Sequence, residues 1–219
     1  TVAAWNRLGV LSGIPEPARP SRPFARGRDG LVVGEGSAGF VLESLDSARA
    51  RGARPHAEVV GYAATSDAAS MVQPAVEGQV RALRKALATA GLCSADIDYV
   101  NAHGTGTVVA ILVEAGALGE ALGDRVPVSS TKAQLGHLMG ATAGVELVSM
   151  ILTLQRGLIP ACRNLDDPDP RCALNFVRGE PLKASVTFAL KTSFAFGATN
   201  SVAILRRWDE ADASPAGDA

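Results

Sequence analysis

The sequence predicts an α/β fold, and three observations lead to that prediction. Apolar residues make up 47% of the 219 positions, which is enough for a sizeable core. Short apolar runs, several of them bounded by Gly, Pro, Asn or Asp, have the character of strands. Longer segments of helical periodicity lie between them. Strands that alternate with helices along a chain indicate a sheet covered by helices.

The first part of the chain is predicted to contain a loop, a hairpin, a short helix and one strand. Residues 15–30, PEPARPSRPFARGRDG, are rich in Pro, Arg and Gly, so we expect an ordered loop there. Residues 31–44, LVVGEGSAGFVLES, predict two strands around a Gly-rich turn. A short helix is predicted over 45–53, and AEVVGYAA (57–64) predicts a buried strand.

The remainder alternates between predicted helices and strands. Apolar periodicity predicts one helix over 77–91 and another over 112–122. The other predicted strands cover 97–103, 126–131, 184–190 and 199–205. Residues 208–219 are small and polar, and we expect them to be disordered.

The longest predicted helix runs from about Gly136 to Arg156, with Gly157 after its end. Gly136, Gly140 and Gly144 would share one face of that helix, where they allow close backbone approach. Most of the remaining surface is apolar, and a helix that is apolar nearly all round is usually buried.

Composition and charge exclude several classes of function. The formal net charge of −1 gives no electrostatic reason to expect nucleic acid or an anionic membrane surface as a partner. No apolar run reaches the ~18 residues needed to span a bilayer, and no signal peptide is expected. Cys93, Cys162 and Cys172 are irregularly spaced, which favours neither a disulfide framework nor a metal site. A reduced, cytoplasmic setting is therefore expected.

Three ionisable residues interrupt the small and apolar segment STKAQLGHLMGATAGVELV (129–147). His137 would lie at the buried start of the predicted helix, where the helix dipole disfavours the imidazolium and favours a neutral, hydrogen-bond-donating imidazole. A buried Glu146 carboxylate would need a cationic or hydrogen-bonding partner. The alternative is a satisfied core histidine, with Lys132 solvated and Glu146 half-exposed.

A second histidine ends the predicted strand in NAHGTGT (101–107). The glycines after His103 permit a tight turn and close approach of a ligand, and Thr105 and Thr107 offer hydroxyls to it. The G-x-G-x-x-G spacing of dinucleotide sites is absent, and two histidines lack the third ligand of a metal site. Polar residues at two strand ends favour a functional site over two unrelated core histidines.

Three motifs in order carry a resemblance to a known family. They are NAHGTGT (101–107), SSTKAQLGHLMGATAG (129–144) and SFAFGATNS (193–201). Together they closely resemble the β-ketoacyl-acyl carrier protein synthases, the condensing enzymes of fatty-acid and polyketide synthesis. RPFARGRDGLVVGEGSAGFVLE (22–43) and NLDDPDP (164–170) are similar to the same family.

The resemblance extends to about Arg207 and implies a thiolase-like αβαβα layered fold built of two similar halves. Residues 1–57 would be the end of the N-terminal half, with a loop, hairpin and short helix. Residues 58–207 would be the C-terminal half, and 208–219 a disordered tail. A dimer is also implied, since the central sheets of the family pair across a two-fold axis.

The same resemblance implies decarboxylative Claisen condensation of an acyl thioester with malonyl-ACP by a Cys-His-His triad. By motif position, His103 and His137 are the two histidines, which would stabilise the enolate and polarise the thioester. Lys132 would organise the site electrostatically. The resemblance gives supporting roles to Glu146, Asn101 and Glu114, phosphopantetheine contacts to Thr105 and Thr107, and a gating role to Phe196. No cofactor is implied beyond the phosphopantetheine arm of the acyl carrier protein, which is the expected partner.

The nucleophilic cysteine of the family lies at a strand-to-helix elbow in the N-terminal half. None of the three cysteines here has that context, so we expect condensation only with an N-terminal half or companion chain that carries it. The alternative is a non-catalytic partner subunit like the chain-length factors. Retention of His103 and His137 favours the enzyme, and a thiolase-type domain without activity is the third possibility.

Smaller departures from the family pattern lie close to the expected site. VVAI (108–111) stands where the family usually has Pro-Leu, a small residue and Asp. The gating loop has Ala195 and Ala198 where glycines are usual, so it is expected to open less freely. Lys191 lies where many homologues have small polar residues beside a cation site, and its ammonium is expected to replace that cation.

Overall fold

The computed structural model describes residues 2–68, 70 and 72–209. Its strands are β1 (Ala57–Ser66), β2 (Tyr99–Asn101), β3 (Pro127–Ser129), β4 (Leu158–Ile159), β5 (Asn175–Phe176), β6 (Leu182–Lys183), β7 (Phe188–Ala195) and β8 (Thr199–Arg207). Its helices are α1 (Val2–Arg7), α2 (Leu45–Ala50), α3 (Val76–Ala90), α4 (Ala110–Leu122), α5 (Lys132–Leu135) and α6 (Thr142–Arg156). Short 3₁₀ turns cover Ser94–Asp96 and Met139–Ala141. None of the described helices is long and apolar enough to cross a membrane.

A mixed sheet in the order β1-β8-β7-β2-β3-β5 organises the fold. The pairs β1–β8 and β8–β7 are antiparallel, whereas β7–β2, β2–β3 and β3–β5 are parallel. Strands β4 and β6 form a separate antiparallel pair. Because β7, β2 and β3 are parallel neighbours, their carboxyl ends meet at one edge of the sheet. Residues that follow β2 and β3 are therefore brought beside the second half of β7.

Apolar side chains cover both faces of the sheet. Along β2, Val100 packs in a cluster with residues of α3 and α4, whereas Tyr99 packs in another with residues of α6. Along β7, Leu190 packs in the first of these clusters and Ala189 in the second. Since successive strand residues point to opposite faces, the sheet lies between α3 and α4 on one side and α6 on the other.

Most of the predicted elements are confirmed. The α/β class is correct, residues 15–30 form a loop, and α3 ends at Gly91, whose φ of +66° closes the helix. The last two predicted strands are present as β7 and β8, although β7 begins only at Phe188 and continues to Ala195. Residues 210–219 of the predicted disordered tail lie outside the described residues, and the domain division at residue 57 stays a prediction.

The long helix predicted from Gly136 is wrong at its beginning. The segment instead forms α5, an extended Gly136 with a positive φ of +75°, a 3₁₀ turn and then α6 from Thr142. A Cβ on Gly136 would lie 3.1 Å from the backbone nitrogen of Gly34, so packing against a distant segment sets this break. Gly136, Gly140 and Gly144 consequently do not share a helix face.

Two predictions about strands are also wrong. Residues 31–44 form no hairpin and make only isolated bridges from Leu31 and Val33. No described strand lies along residues 34–44, and Val41 is 88% exposed. The predicted buried strand at 57–64 is instead an edge strand, with Val59 and Tyr62 more than half exposed.

Candidate active site

The first histidine is positioned by the turn that follows β2. The backbone N–H groups of His103 and Gly104 donate to the two carboxylate oxygens of Glu114, at 2.7 and 2.8 Å. Ser130 donates its hydroxyl proton to the Gly104 carbonyl at 3.0 Å. Gly104 has φ +47°, and a Cβ there would lie 2.5 Å from the Ser130 side chain. Only glycine fits where this turn crosses the end of β3.

The second histidine is held between α5 and α6. The His137 N–H donates to the Val32 carbonyl at 2.7 Å, and the His137 carbonyl accepts from Gly34 at 3.0 Å. The N–H of Met139 donates to His137 Nδ1 at 3.1 Å, and the Thr142 hydroxyl lies 3.0 Å from the same atom. Since a backbone N–H can only donate, Nδ1 is the acceptor and the neutral ring carries its proton on Nε2.

The structure brings the two imidazoles together as neutral groups. Their ring centroids are 5.5 Å apart with the planes at 88°. Burial, with the positive charge of Lys132 next in importance, lowers the pKa of His103 well below its ordinary value. The same two causes lower the pKa of His137 to about 4. His137 precedes α6 by five positions, so burial and charge set its protonation rather than the helix dipole invoked from the sequence.

Two lysines share one buried carboxylate behind the histidines. Lys132 Nζ lies 2.7 Å from Glu146 Oε1, and Lys191 Nζ lies 2.9 Å from Glu146 Oε2. Side-chain exposures of 1% to 3% show that the alternative of a solvated Lys132 and a half-exposed Glu146 is wrong. Lys191 also donates to the backbone carbonyls of Asn101 and Thr192. With both lysines protonated, the group carries a net charge of +1.

The pKa values of this cluster follow from burial and mutual attraction. Burial lowers the pKa of Lys132 to about 8, although the Glu146 carboxylate opposes the shift. Burial acts to raise the pKa of Glu146, but Lys191 and Lys132 outweigh it and hold that pKa below its usual value. Burial raises the pKa of Glu114, against the backbone N–H of Gly104 and the Thr192 hydroxyl.

A polar network connects Asn101 and Glu114, which the sequence analysis singled out, to Tyr99, Ser129 and Thr192, which it did not. The Asn101 amide donates to the Tyr99 hydroxyl at 3.1 Å, and that hydroxyl pairs with Ser129 at 2.9 Å. Thr192 donates to Glu114 at 2.8 Å and accepts from the His103 N–H at 2.9 Å. Tyr99, Ser129 and Thr192 were missed because short polar side chains at the ends of strands are common, and the sequence does not say what they contact.

A cavity of about 750 Å³ opens in front of the histidines. Among the residues that line it are His103, His137, Thr105, Thr107, Phe194 and Phe196. The hydroxyls of Thr105 and Thr107 are 3.0 Å apart, and Phe196 stacks on Trp5 with ring centroids 5.5 Å apart. Lys132, Glu146 and Lys191 are not among the lining residues. The lining is mostly apolar, and the acidic residues Asp29 and Glu114 contribute to it beside the two histidines.

The cysteines lie away from the cavity. Cys162 and Cys172 are buried, and burial raises the pKa of Cys162 to about 12 and that of Cys172 to about 11. Cys93 is exposed, and none of the three lines the cavity. Among residues 2–68, 70 and 72–209, no group of three or more His, Cys, Asp or Glu side chains could hold a metal ion.

Comparisons with known proteins identify the family. Residues 56–166 match the family described as beta-ketoacyl synthase, C-terminal domain. A 3-oxoacyl-(acyl-carrier-protein) synthase 2 from Rhizobium meliloti (strain 1021) is 43% identical over 88% of this chain and 47% of its own length. A beta-ketoacyl synthase structure from Burkholderia phymatum STM815 is 40% identical, with TM-score 0.93 over 95% of this chain and 52% of its own. The structure of the ishigamide ketosynthase/chain length factor is 38% identical, with TM-score 0.90 over 94% of this chain and 50% of its own.

The chain belongs to the β-ketoacyl synthase family and carries the C-terminal domain of that family. The thiolase-like fold implied by its motifs is confirmed by these structural neighbours. The chain spans about half the length of the curated relatives it matches.

Proposed function

We propose that this chain is the histidine-bearing part of a β-ketoacyl-ACP synthase. The reaction is decarboxylative Claisen condensation of an acyl thioester with malonyl-ACP, in fatty-acid or polyketide synthesis. The observation that carries the proposal is the pair of neutral imidazoles, His103 and His137, on the wall of a largely apolar cavity. The curated relatives are named as 3-oxoacyl-(acyl-carrier-protein) synthases, which supports the same reaction and partner.

The two histidines are the catalytic residues that meet the malonyl thioester. When the malonyl carboxylate leaves as carbon dioxide, the electron pair of the broken C–C bond moves into the thioester and places negative charge on its oxygen. Imidazole N–H groups aimed at that oxygen stabilise the enolate, and His137 has its proton on Nε2 for this purpose. The enolate carbon then attacks the acyl thioester, and the cysteine thiolate leaves.

Lys132, Glu146 and Lys191 support this chemistry electrostatically. Their net charge of +1 disfavours the imidazolium forms and favours the negative charge that develops in the cavity. The ammonium of Lys191 takes the place of a bound cation beside Asn101 and Glu146. A crystal structure with an ion at that position and Lys191 turned away would overturn this assignment.

The phosphopantetheine arm of the carrier protein is proposed to lie along Thr105 and Thr107. Phe196 gates the apolar end of the cavity, where it stacks on Trp5. The nucleophilic cysteine comes from an N-terminal half, present in a longer chain or in a companion chain of the same dimer. We place the assembled enzyme in the cytoplasm.

Native mass spectrometry of the protein from its natural source tests the proposal. We expect this chain in one assembly with the sequence of an N-terminal half, and incubation with acyl-ACP should acylate a cysteine of that half. An assembly whose N-terminal half has no cysteine at the elbow would favour the chain-length-factor alternative. This chain alone, or a simple homodimer of it, would contradict the enzymatic proposal.

A further inference from the structure

A buried arginine, Arg28, donates hydrogen bonds to the turn that carries Thr105 and Thr107. Arg28 is only 6% exposed. Its Nε donates to the Thr107 carbonyl at 3.2 Å, and its NH2 donates to the Val108 carbonyl at 2.9 Å. Its NH1 donates to the Ala25 carbonyl at 2.9 Å. Every guanidinium nitrogen therefore donates a hydrogen bond, and two of the three bind the carbonyls of the last motif residue and of the residue that follows it.

The charge of this arginine is neutralised by a second motif that the proposed chemistry does not use. Arg28 NH1 lies 2.7 Å from Asp169 Oδ2, and both side chains are at most 2% exposed. Asp169 also accepts two hydrogen bonds from the Arg171 guanidinium, at 3.0 and 2.7 Å. The loops that carry the pair are joined by backbone hydrogen bonds, including one from the Asp169 N–H to the Phe24 carbonyl at 2.9 Å.

The beginning of the turn is held by a negatively charged side chain, that of Glu114. Glu114 accepts from the N–H groups of His103 and Gly104, whereas Arg28 donates to the carbonyls of Thr107 and Val108, at and just beyond the other end of the motif. Beneath the middle of the turn, a Cβ on Gly106 would lie 2.9 Å from the Gly30 carbonyl oxygen. The turn thus rests on the Arg-rich loop with no room to shift inward.

We propose that Arg28 and Asp169 are positioning residues for the phosphopantetheine arm. The pair fixes the backbone of residues 104–109, so that the Thr105 and Thr107 hydroxyls are held where they meet the arm. A lysine at position 28 keeps the charge but lacks the planar fork, and it can reach only part of this set of acceptors. This inference rests on the proposed function, because it takes the arm to be the ligand of the two threonines.

The test compares Arg28→Lys with Arg26→Lys. Arg26 lies in the same loop, but its ion pair with Asp167 is about two-thirds exposed. Hydrogen exchange of the full chain, which needs no activity, should be at least tenfold faster over residues 104–109 in Arg28→Lys, with α3 and β8 unchanged. In the synthase assembled with its cysteine-bearing half, KM for malonyl-ACP should rise about tenfold while kcat changes less than threefold. Arg26→Lys should match the wild type in both measurements.

The outcomes separate this inference from the function on which it rests. Unchanged exchange over 104–109 in Arg28→Lys, or a fall in kcat that tracks the folded fraction at constant KM, would overturn the positioning role. If Arg28→Lys exchanges faster over residues 104–109 but the wild-type assembly does not condense, the proposed function is overturned. The role of Arg28 in fixing the backbone of this turn would then still stand. If Arg28→Lys does not fold, Asp169→Asn is measured in the same way, with the same expected results.

Discussion

Replacing Glu146 with glutamine tests the electrostatic account of the site. The carboxylate bridges Lys132 and Lys191 at 2.7 and 2.9 Å, and all three side chains are buried. Glu146→Gln keeps the shape but leaves two ammonium groups, so the net charge of the buried group changes from +1 to +2. Removing one partner of a buried pair costs roughly 3–5 kcal/mol of stability.

Release of a proton from one lysine sets an upper limit on that cost. The chain can avoid the second charge by releasing a proton from Lys132, whose unperturbed pKa is 10.5. At ~1.4 kcal/mol per pH unit, neutralising this lysine costs about 5 kcal/mol at pH 7 and about 2 kcal/mol at pH 9. The wild type also gains stability over this range, because its Lys132 pKa of about 8 lies below the unfolded value. The cost in the variant falls by about 2.7 kcal/mol and the wild type gains about 1.4 kcal/mol, so the deficit should shrink by about 1.4 kcal/mol from pH 7 to pH 9.

Urea unfolding of the full chain at both pH values measures these differences. Lys191→Met is the matched control, because Glu146 keeps Lys132 as a partner and no uncompensated charge remains. Its cost comes from the acceptors that Lys191 leaves unpaired and should be only about 1–3 kcal/mol. A smaller loss of stability in Glu146→Gln than in Lys191→Met at pH 7 would refute the electrostatic role of Glu146. A deficit that grows with pH would also contradict it.

Three further predictions concern stability. Gly104→Ala should cost at least about 2 kcal/mol more in urea unfolding than Gly9→Ala, because both have positive φ but only Gly104 lacks space for a Cβ. Ala198→Gly should stabilise by about 0.5 kcal/mol, since the φ of +58° costs alanine ~1–2 kcal/mol and glycine loses ~0.5–1 kcal/mol of chain entropy; a loss would contradict this. From pH about 6.5 to about 4.5, stability should fall by up to ~1.4 kcal/mol per pH unit for each neutral histidine, because the unfolded chain binds more protons. His137→Asn should flatten this pH dependence; an unchanged slope would show that His137 does not contribute.

Elements with a strong local pattern were predictable from the sequence. Helix α3 has its apolar residues at helical spacing and a glycine that ends it, so both its type and its end were correct. The beginning of α6 was not predictable, because Gly136 takes a positive φ where it packs against Gly34, about a hundred residues earlier. No local pattern contains that contact.

The hairpin predicted over 31–44 failed for a related reason. An apolar, glycine-containing run predicts strands only if another strand pairs with it, and the sequence does not say where that partner is. In the structure, Val41 and Leu42 are exposed and residues 34–44 make no ladder. The packing of this segment therefore depends on what covers it.

Some residues of the candidate site could be identified from the sequence, whereas others could not. His103, His137, Lys132 and Glu146 were identifiable because charged residues in glycine-rich, apolar motifs are unusual. Arg28 was missed as a site residue because it lies in a loop with several other arginines, and its partners are about 80 and 141 positions away. Only the tertiary structure shows which arginine is buried.

Malonyl decarboxylation by the assembled synthase tests the central claim most directly. The assay measures carbon dioxide released from malonyl-ACP by this chain together with its cysteine-bearing half. His137→Ala should reduce the rate by ~100-fold or more, as expected for the loss of one hydrogen bond to a developing oxyanion. His56→Ala, at the exposed third histidine, should leave the rate unchanged. A folded His137→Ala assembly that releases carbon dioxide at the wild-type rate would contradict the account.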